Sequence, residues 1–331
     1  MGMEKYIRVK VLGTGSFGSA ILVTKVGTRE QYVVKEIDVS KMSSPERKAA
    51  EQEAKVLASL AHPNIVTAVE SFVEKGKLCI VMDYCAGGDL HQLVQRQRGR
   101  LMEEDRVLDM FVQMCLAMKH VHDRKILHRD LKGQNVFMAA GGRMLKIGDF
   151  GVAKVLEGTM QLAQTAVGTP YYLSPEICQG KPYNHKSDVW SLGCILYELC
   201  TLKHAFDAQS LKLLVLKIVR GNYPPVHKSY SADLRGLVDA MIQKDPRKRP
   251  SVNDILGMPL LQQRINGFLS QEKLSDEFSH TVIHGRRGLT PPTAKEKLVS
   301  AQSAAGNAHA SKRPAAGPLP SGGGGRVAGA G

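Results

Sequence analysis

Two short stretches constrain this chain more than anything else in it. The run His128-Arg-Asp-Leu-Lys-Gly-Gln-Asn135 sets a carboxylate, Asp130, two residues before a cation, Lys132, and five before an amide, Asn135. Fourteen residues after Asn135 comes Asp149-Phe150-Gly151. A fold that joins these stretches gathers an acid, a cation and two hard oxygen donors in one place. The segment that feeds the first stretch is a helix by its pattern. Between Glu103 and His122, residues Val107, Leu108, Phe111, Met114, Cys115, Met118 and Val121 form one apolar stripe at helical spacing.

Upstream, short apolar runs alternate with turns. Tyr6 to Leu12 reads as a strand, followed by Gly13-Thr-Gly15-Ser-Phe-Gly18 and by the strand-like Ala20-Ile-Leu-Val-Thr24. A glycine fingerprint of the dinucleotide-binding type would open a helix instead. Here the glycines are expected at a hairpin tip, where bare backbone N–H groups can approach phosphate oxygens. A strand at Gln31–Lys35 follows, then a helix with Ser44 as cap and Pro45 in its first position, running to about Leu60 before Pro63. Ala49, Glu53, Leu57 and Leu60 share its inward face. A glutamate on an apolar stripe needs a cation, and Lys35 is the obvious partner. Two further strands, Val66–Glu74 and Leu78–Met82, close a small antiparallel sheet.

Downstream, periodicity lapses from Gly151 until Val189. The segment Ser187–Leu199 is apolar nearly all round, so it is expected to be a buried helix. Amphipathic helices are expected at 208–220, 231–243 and 251–256, with a last element at 261–269. Beyond about residue 278 Ala, Gly, Ser and Pro dominate, with four glycines at 322–325. Such a composition does not bury enough apolar surface to fold alone.

The bulk composition excludes several classes. Six cysteines, none in a Cys-x-x-Cys pair, lie in apolar segments, which points to reduced thiols in a cytosolic protein. No apolar run reaches the ~18 residues of a membrane span. The N-terminus lacks a signal-peptide pattern, and Tyr6 stands where a myristoylated Gly2 would need Ser or Thr. The net charge of +14 is spread along the chain, with no arginine-rich arm and no interleaved aromatics, so no nucleic-acid partner is expected.

The two opening stretches, the glycine loop and the Val33-Val34-Lys35 strand occur in the order of the eukaryotic protein kinase signature set, and the chain resembles that family. The resemblance implies an α+β bilobal fold. Its N-lobe, about residues 1–82, would be a small antiparallel β-sheet with one helix. The hinge would be 83–85, and a larger, mainly α-helical C-lobe would span 86–270, with 271–331 a mostly disordered tail. It implies ATP and Mg2+ as cofactors, Gly13, Gly15 and Gly18 over the phosphates, and Lys35 on the α- and β-phosphates, with Glu53 paired to it. Met82 would be the gatekeeper, the backbone of Asp83 and Cys85 would meet adenine, and Asp89 would reach the ribose or a substrate residue. Asn135 and Asp149 would hold the metal, Asp130 would accept the proton of an incoming hydroxyl, and Lys132 would reach the γ-phosphate. Lys132 and Thr169 favour Ser/Thr targets. Arg129 is expected to receive an activation-segment phosphate, with Thr165 ahead of Thr159 and Thr169 as the site. Glu176 and Arg249 would form a buried ion pair, and Asp188 would anchor the catalytic loop.

Within the kinases, His62-Pro-Asn-Ile-Val66, Ile80–Leu90, Gly168–Glu176, Tyr183–Cys194 and Thr201–Phe206 resemble the NIMA-related (NEK) kinases over about residues 4–270. That resemblance implies protein substrates, an activating kinase or trans-autophosphorylation, and a role in cell-cycle, centrosomal or ciliary control. A cytoplasmic location, with the centrosome or basal body as further sites, follows as an expectation. No heptad pattern follows residue 270, so a monomer is expected. Gln134 stands where arginine-directed kinases carry Glu, so an apolar residue is expected three positions before the target instead of arginine. The alternative is a catalytically silent kinase-fold scaffold. Its mark would be loss of Lys35, Asp130, Asn135 or Asp149, and all four are present.

Overall fold

The computed structural model describes residues 2–15, 18–150, 170–265 and 267–268, with only the backbone of Gly15, Ala49 and Glu53. Thr159, Thr165, Thr169 and the segment from 269 onward lie outside the described residues.

Five strands make an antiparallel sheet in the order β1-β2-β3-β5-β4: β1 (Tyr6–Gly15), β2 (Gly18–Lys25), β3 (Gln31–Asp38), β4 (Ala68–Glu74) and β5 (Lys77–Asp83). Strand alternation decides what each face carries. On β3, Val34 joins Ile21, Val23, Cys79 and Val81 in one cluster. Ile37 packs on the other face with Leu78, Ile80 and helix α1 (Ser44–Ala58). Lys35 lies one residue from Val34 and two from Ile37, so it shares the α1 face, and it pairs with Ile80 on β5. Lys35 thus brings a cation onto the apolar inner face of the sheet.

Helix α1 docks through Ala50 and Ala54, both fully buried, and small side chains let it sit close to the sheet. Its cap is Ser43 and not Ser44. The Ser43 backbone N–H donates to Glu46 at 2.7 Å in a reciprocal capping box, which moves Pro45 to the second helical position. The glutamate three residues after Ser43 decides which serine caps.

The remainder is mainly helical: α2 (Leu90–Arg96), α3 (Glu104–Asp123), α4 (Pro175–Cys178), α5 (His185–Thr201), α6 (Leu211–Arg220), α7 (Ala232–Met241), α8 (Val252–Leu256) and α9 (Pro259–Ile265). A two-stranded hairpin, β6 (Val136–Met138) and β7 (Leu145–Ile147), follows the catalytic stretch. This is the α+β, two-lobed arrangement expected from the sequence. Every residue of α5 from Ser187 to Cys200 is buried, and α3 and α7 pack against it. Among the described residues no helix is long and apolar enough to cross a membrane.

One buried ion pair locks α4 to the helical core. Arg249 forms a fork onto Glu176, Nη1–Oε1 2.7 Å and Nη2–Oε2 2.8 Å. Its Nε donates to Gln243 O, Nη1 also to Lys186 O and Nη2 also to Lys244 O, so all five donors are used. Trp190 lies beneath the guanidinium, 4.9 Å from it. Removing the cation leaves Glu176 charged and buried together with three carbonyls. Arg249→Ala should therefore cost about 3–5 kcal/mol and lower Tm by on the order of 10 °C, as read by differential scanning calorimetry. A shift under about 2 °C would contradict this account.

Candidate active site

The site lies where the end of α3, the loop His128–Asn135 and the stretch after β7 meet the inner face of the sheet. Burial of one carboxylate organises it. Asp188, fully buried near the start of α5, accepts four hydrogen bonds: from His122 Nε2 at 2.8 Å, the His128 N–H at 3.1 Å, the Arg129 N–H at 3.2 Å and the Tyr183 hydroxyl at 2.5 Å. Burial pushes its carboxyl up, and the donors, His122 foremost, outweigh that and hold it below its ordinary value. Arg129 sits at φ 66°, a left-handed conformation that costs an L-residue on the order of 1 kcal/mol. The bonds from Asp188 to two consecutive N–H groups hold it there.

His128 carries the constraint onward. Its Nε2–H donates to Gly148 O at 3.1 Å, and its Nδ1 accepts from the Asp130 N–H at 3.3 Å. Burial pushes the imidazole pKa down, which keeps the ring neutral and so able to donate from one nitrogen and accept at the other. Its ring packs on Phe150, centroids 4.5 Å apart. The Gly148 N–H donates to Asn135 O at 3.0 Å. One histidine therefore registers the Asp130 stretch against the Asp149 stretch.

Asp130, Lys132 and Asn135 form a cluster. Lys132 Nζ donates to Asp130 Oδ2 at 2.9 Å, and Asn135 Nδ2 donates to the same oxygen at 3.0 Å and to Asp130 O at 2.7 Å. The amide nitrogen is thereby committed to Asp130, which orients Asn135 Oδ1 as its acceptor atom. Asp149, at φ 57°, ion-pairs with Lys35 Nζ across from this cluster. Lys35 was expected beside Glu53. The Glu53 side chain lies outside the described residues, and the partner seen for Lys35 is Asp149. The long lysine stem reaches from β3 to the opposite carboxylate.

Other expected positions fall around this centre. Met82 pairs with Val33 and packs with the α1-facing cluster. Asp83 ends β5, its N–H donating to Thr67 O at 3.0 Å and its carboxylate accepting from Lys146 at 2.8 Å. Cys85 is half-buried, and burial pushes its thiol up, so it stays protonated. Asp89 caps α2, its carboxylate accepting from the Gln92 N–H at 2.8 Å. Gly15 and Gly18 stand at the closing end of the β1–β2 hairpin, on either side of residues 16–17. Gly13 lies within β1 opposite Ala20, and Gly15 pairs with Gly18. At Gly18 an added Cβ would stand 1.7 Å from Glu36 O, so the close approach of β3 requires glycine there. At Gly13 a Cβ would meet nothing within 4 Å. The sheet does not need that glycine, so what it provides is room.

Sequence reasoning missed a second support. Tyr172 donates its hydroxyl to Glu198 at 2.5 Å and accepts from the Gly133 N–H at 3.4 Å, tying the loop to the far end of α5. The signal was present: Glu198, like Asp188, is a charge in an otherwise apolar helix, and such a residue needs partners.

This geometry is that of a protein kinase domain. The family profile described as protein kinase domain matches residues 6–261. The chain is 56% identical to the serine/threonine-protein kinase Nek1 of Mus musculus over 276 residues, 83% of this chain and 23% of that protein. It is 50% identical to Nek5 of Homo sapiens over 85% of this chain and 40% of the relative, and 46% identical to Nek4 of Mus musculus over 82% and 34%. The chain belongs to the protein kinase family and, within it, to the NIMA-related serine/threonine kinases. It spans about a quarter to two-fifths of the length of these relatives.

Asp188 is one of several buried carboxylates that set the acid limit of the domain. Glu176 is also held below its ordinary value: burial raises it, and the Arg249 fork with Ser187 more than reverses that. A carboxyl lowered on folding contributes stability that is fully present above its unfolded pKa and lost as pH falls through the folded one. Tm should therefore fall as pH drops below the ordinary values of 4.5 for Glu176 and 3.8 for Asp188. In Asp188→Asn, melts across that window should show a lower Tm throughout and a shallower slope. An unchanged slope would remove Asp188 from the account.

Proposed function

We propose that the chain transfers the γ-phosphoryl group of ATP to Ser or Thr hydroxyls of protein substrates. The observation that carries this reading is the Asp130 carboxylate clamped by Lys132 and Asn135, with the Lys35–Asp149 pair across from it. Phosphoryl transfer asks for positioning and charge neutralisation more than for covalent chemistry. Membership in the family implies ATP and, typically, Mg2+.

The residues present fit both. Asn135 Oδ1 and the Asp149 carboxylate are hard oxygen donors of the kind Mg2+ takes alongside phosphate and water. Magnesium, when bound, neutralises phosphate charge. Lys35 binds the α- and β-phosphate oxygens, exchanging Asp149 for them. The space at Gly13 admits the nucleotide under the β1–β2 hairpin, and the backbone of Asp83 and Cys85 meets its base. Asp130 orients the substrate hydroxyl and accepts its proton as the oxygen–phosphorus bond forms and ADP departs. Lys132 stabilises the charge on the transferred group.

Activity is proposed to depend on phosphorylation of Thr165, whose phosphate would pair with the half-buried Arg129, whose left-handed backbone Asp188 holds. The exposed Gln134 supplies no carboxylate for a substrate arginine, so an apolar residue three positions before the target is the proposed preference. Cell-cycle, centrosomal or ciliary control is the process proposed on the strength of the Nek relatives.

The test is ATP–Mg phosphorylation of a Ser/Thr peptide library by the full chain. Asp130→Asn should lower kcat by about 10²–10⁴-fold with ATP binding retained, and Asp149→Ala should abolish Mg2+-dependent transfer. Transfer that survives both, or ATP binding without transfer by the wild type after Thr165 is phosphorylated, would defeat the proposal; the second outcome describes a scaffold. Thr165→Ala should reduce activity in a phosphorylation-competent preparation, and full activity there would dismiss Thr165 as the control point.

A further inference from the structure

Helix α6 carries an apolar face that its packing does not use. Leu214 and Ile218 are fully buried and dock the helix beside α4, the element that holds Glu176. At about 100° per residue, Leu213, Leu216 and Arg220 fall together on the opposite side. Leu213 is 50% exposed and Leu216 43%. Lys212 and Lys217 flank this ridge on its two sides, both exposed, and no residue from Ser210 to Gly221 is acidic. Two leucines one turn apart, rimmed by three cations without a counter-charge on the helix, form a surface that matches an apolar segment bearing acidic groups. Another copy of this strongly basic chain is the wrong electrostatic partner.

We propose that the outward face of α6 docks an acidic, leucine- or aromatic-bearing segment of protein substrates, away from the residues around the phosphorylated hydroxyl. The proposal rests on the kinase reading for its substrate but not for its binding. The ridge supplies apolar contact. The cations set orientation and speed encounter, so the interaction weakens with salt. α6 lies against α4, which opens immediately after Tyr172 and Ser174. A segment held there is therefore tethered near the end of the activation segment, and its local concentration at Asp130 rises without any contact to the catalytic residues.

The probe is dephosphorylated β-casein, an acidic protein, set against a short neutral Ser/Thr peptide. Binding of the full chain to casein is measured by biolayer interferometry at low and moderate salt, and transfer to both substrates by initial rates. Leu213→Ser with Leu216→Ser leaves the charge unaltered and should weaken casein binding about tenfold, equivalent to ~1.4 kcal/mol. It should raise KM for casein to match, with kcat and the peptide KM unchanged. Lys212→Glu with Arg220→Glu should weaken casein binding and flatten its salt dependence. Wild-type affinity for casein in the leucine variant overturns the proposal. So does sedimentation velocity showing self-association that the leucine variant abolishes, because the face would then be a contact between copies. Failure to phosphorylate the peptide would count against the kinase reading alone, and the binding measurements would still decide the docking site.

Discussion

The rest of the site depends on Asp188. Its carboxylate lies in the core of the helical lobe, where a charge survives only if its lone pairs are filled. Four donors fill them, and two are consecutive backbone N–H groups of the catalytic loop. The requirement to satisfy the charge and the requirement to fix the loop are therefore one requirement. If the loop relaxed, His128 and Arg129 would withdraw their N–H groups and leave the carboxylate partly orphaned in the interior. That cost is what makes the strained φ of Arg129 tenable, and it sets the direction in which Asp130 leaves the turn.

Helix α5 applies the same device twice. Asp188 and Glu198 are ten residues apart, about 15 Å along the axis, and each reaches the loop, one at His128–Arg129 and the other through Tyr172 at Gly133. A helix buried on every side is a rigid platform, because any shift of its axis would disturb close-packed side chains all round it. The loop is thereby held at both ends by one rigid body. Glu176, fixed by Arg249, adds a third point where the chain re-enters after the activation segment.

Much of this was legible in the sequence, for reasons that differ by element. The strand–glycine–strand reading succeeded because Ala20–Thr24 is β-branched and short, which no helix-opening fingerprint would be. The buried helix was legible because Ser187–Leu199 is apolar on all faces. Helix α3 was legible because the apolar spacing from Val107 to Val121 is helical, although every residue from Met110 to Val121 is buried and not one stripe alone. What escaped were details set by competition between adjacent residues or by contacts distant in the chain. Ser43 and Ser44 are equally good caps in isolation, and only the reach of Glu46 decides between them. β6 and β7, of three residues each, are too short to show a period. Gly15 and Gly18 close the hairpin as turn propensity suggests, whereas Gly13 lies further inside β1, placed by its pairing with Ala20. Tyr172, Tyr183 and His122 gain their roles from partners that lie five to sixty-six positions away. The anomaly visible in the sequence was their acidic partner, a carboxylate in an apolar run.

Exposure separates the ion pairs that build the site from the one that the reaction can use. Glu176 and Arg249 are 4% and 0% exposed at their side chains, and every donor of the arginine is engaged. Exchanging that partner for another would strand charge in the core, so the pair is permanent. Lys35 and Asp149 are 25% and 38% exposed, on opposite walls of the site. Water reaches both, the dielectric between them is higher, and their attraction is correspondingly smaller. In the proposed reaction each would trade the other for a stronger partner of the same sign: phosphate oxygens for the lysine, a divalent ion for the aspartate. The lysine comes from the sheet and the aspartate from the helical lobe. On the proposed reading Lys35 would hold the phosphates and Asp149 the metal, so the nucleotide would be held from both lobes. The buried pairs keep the frame constant while that exchange occurs.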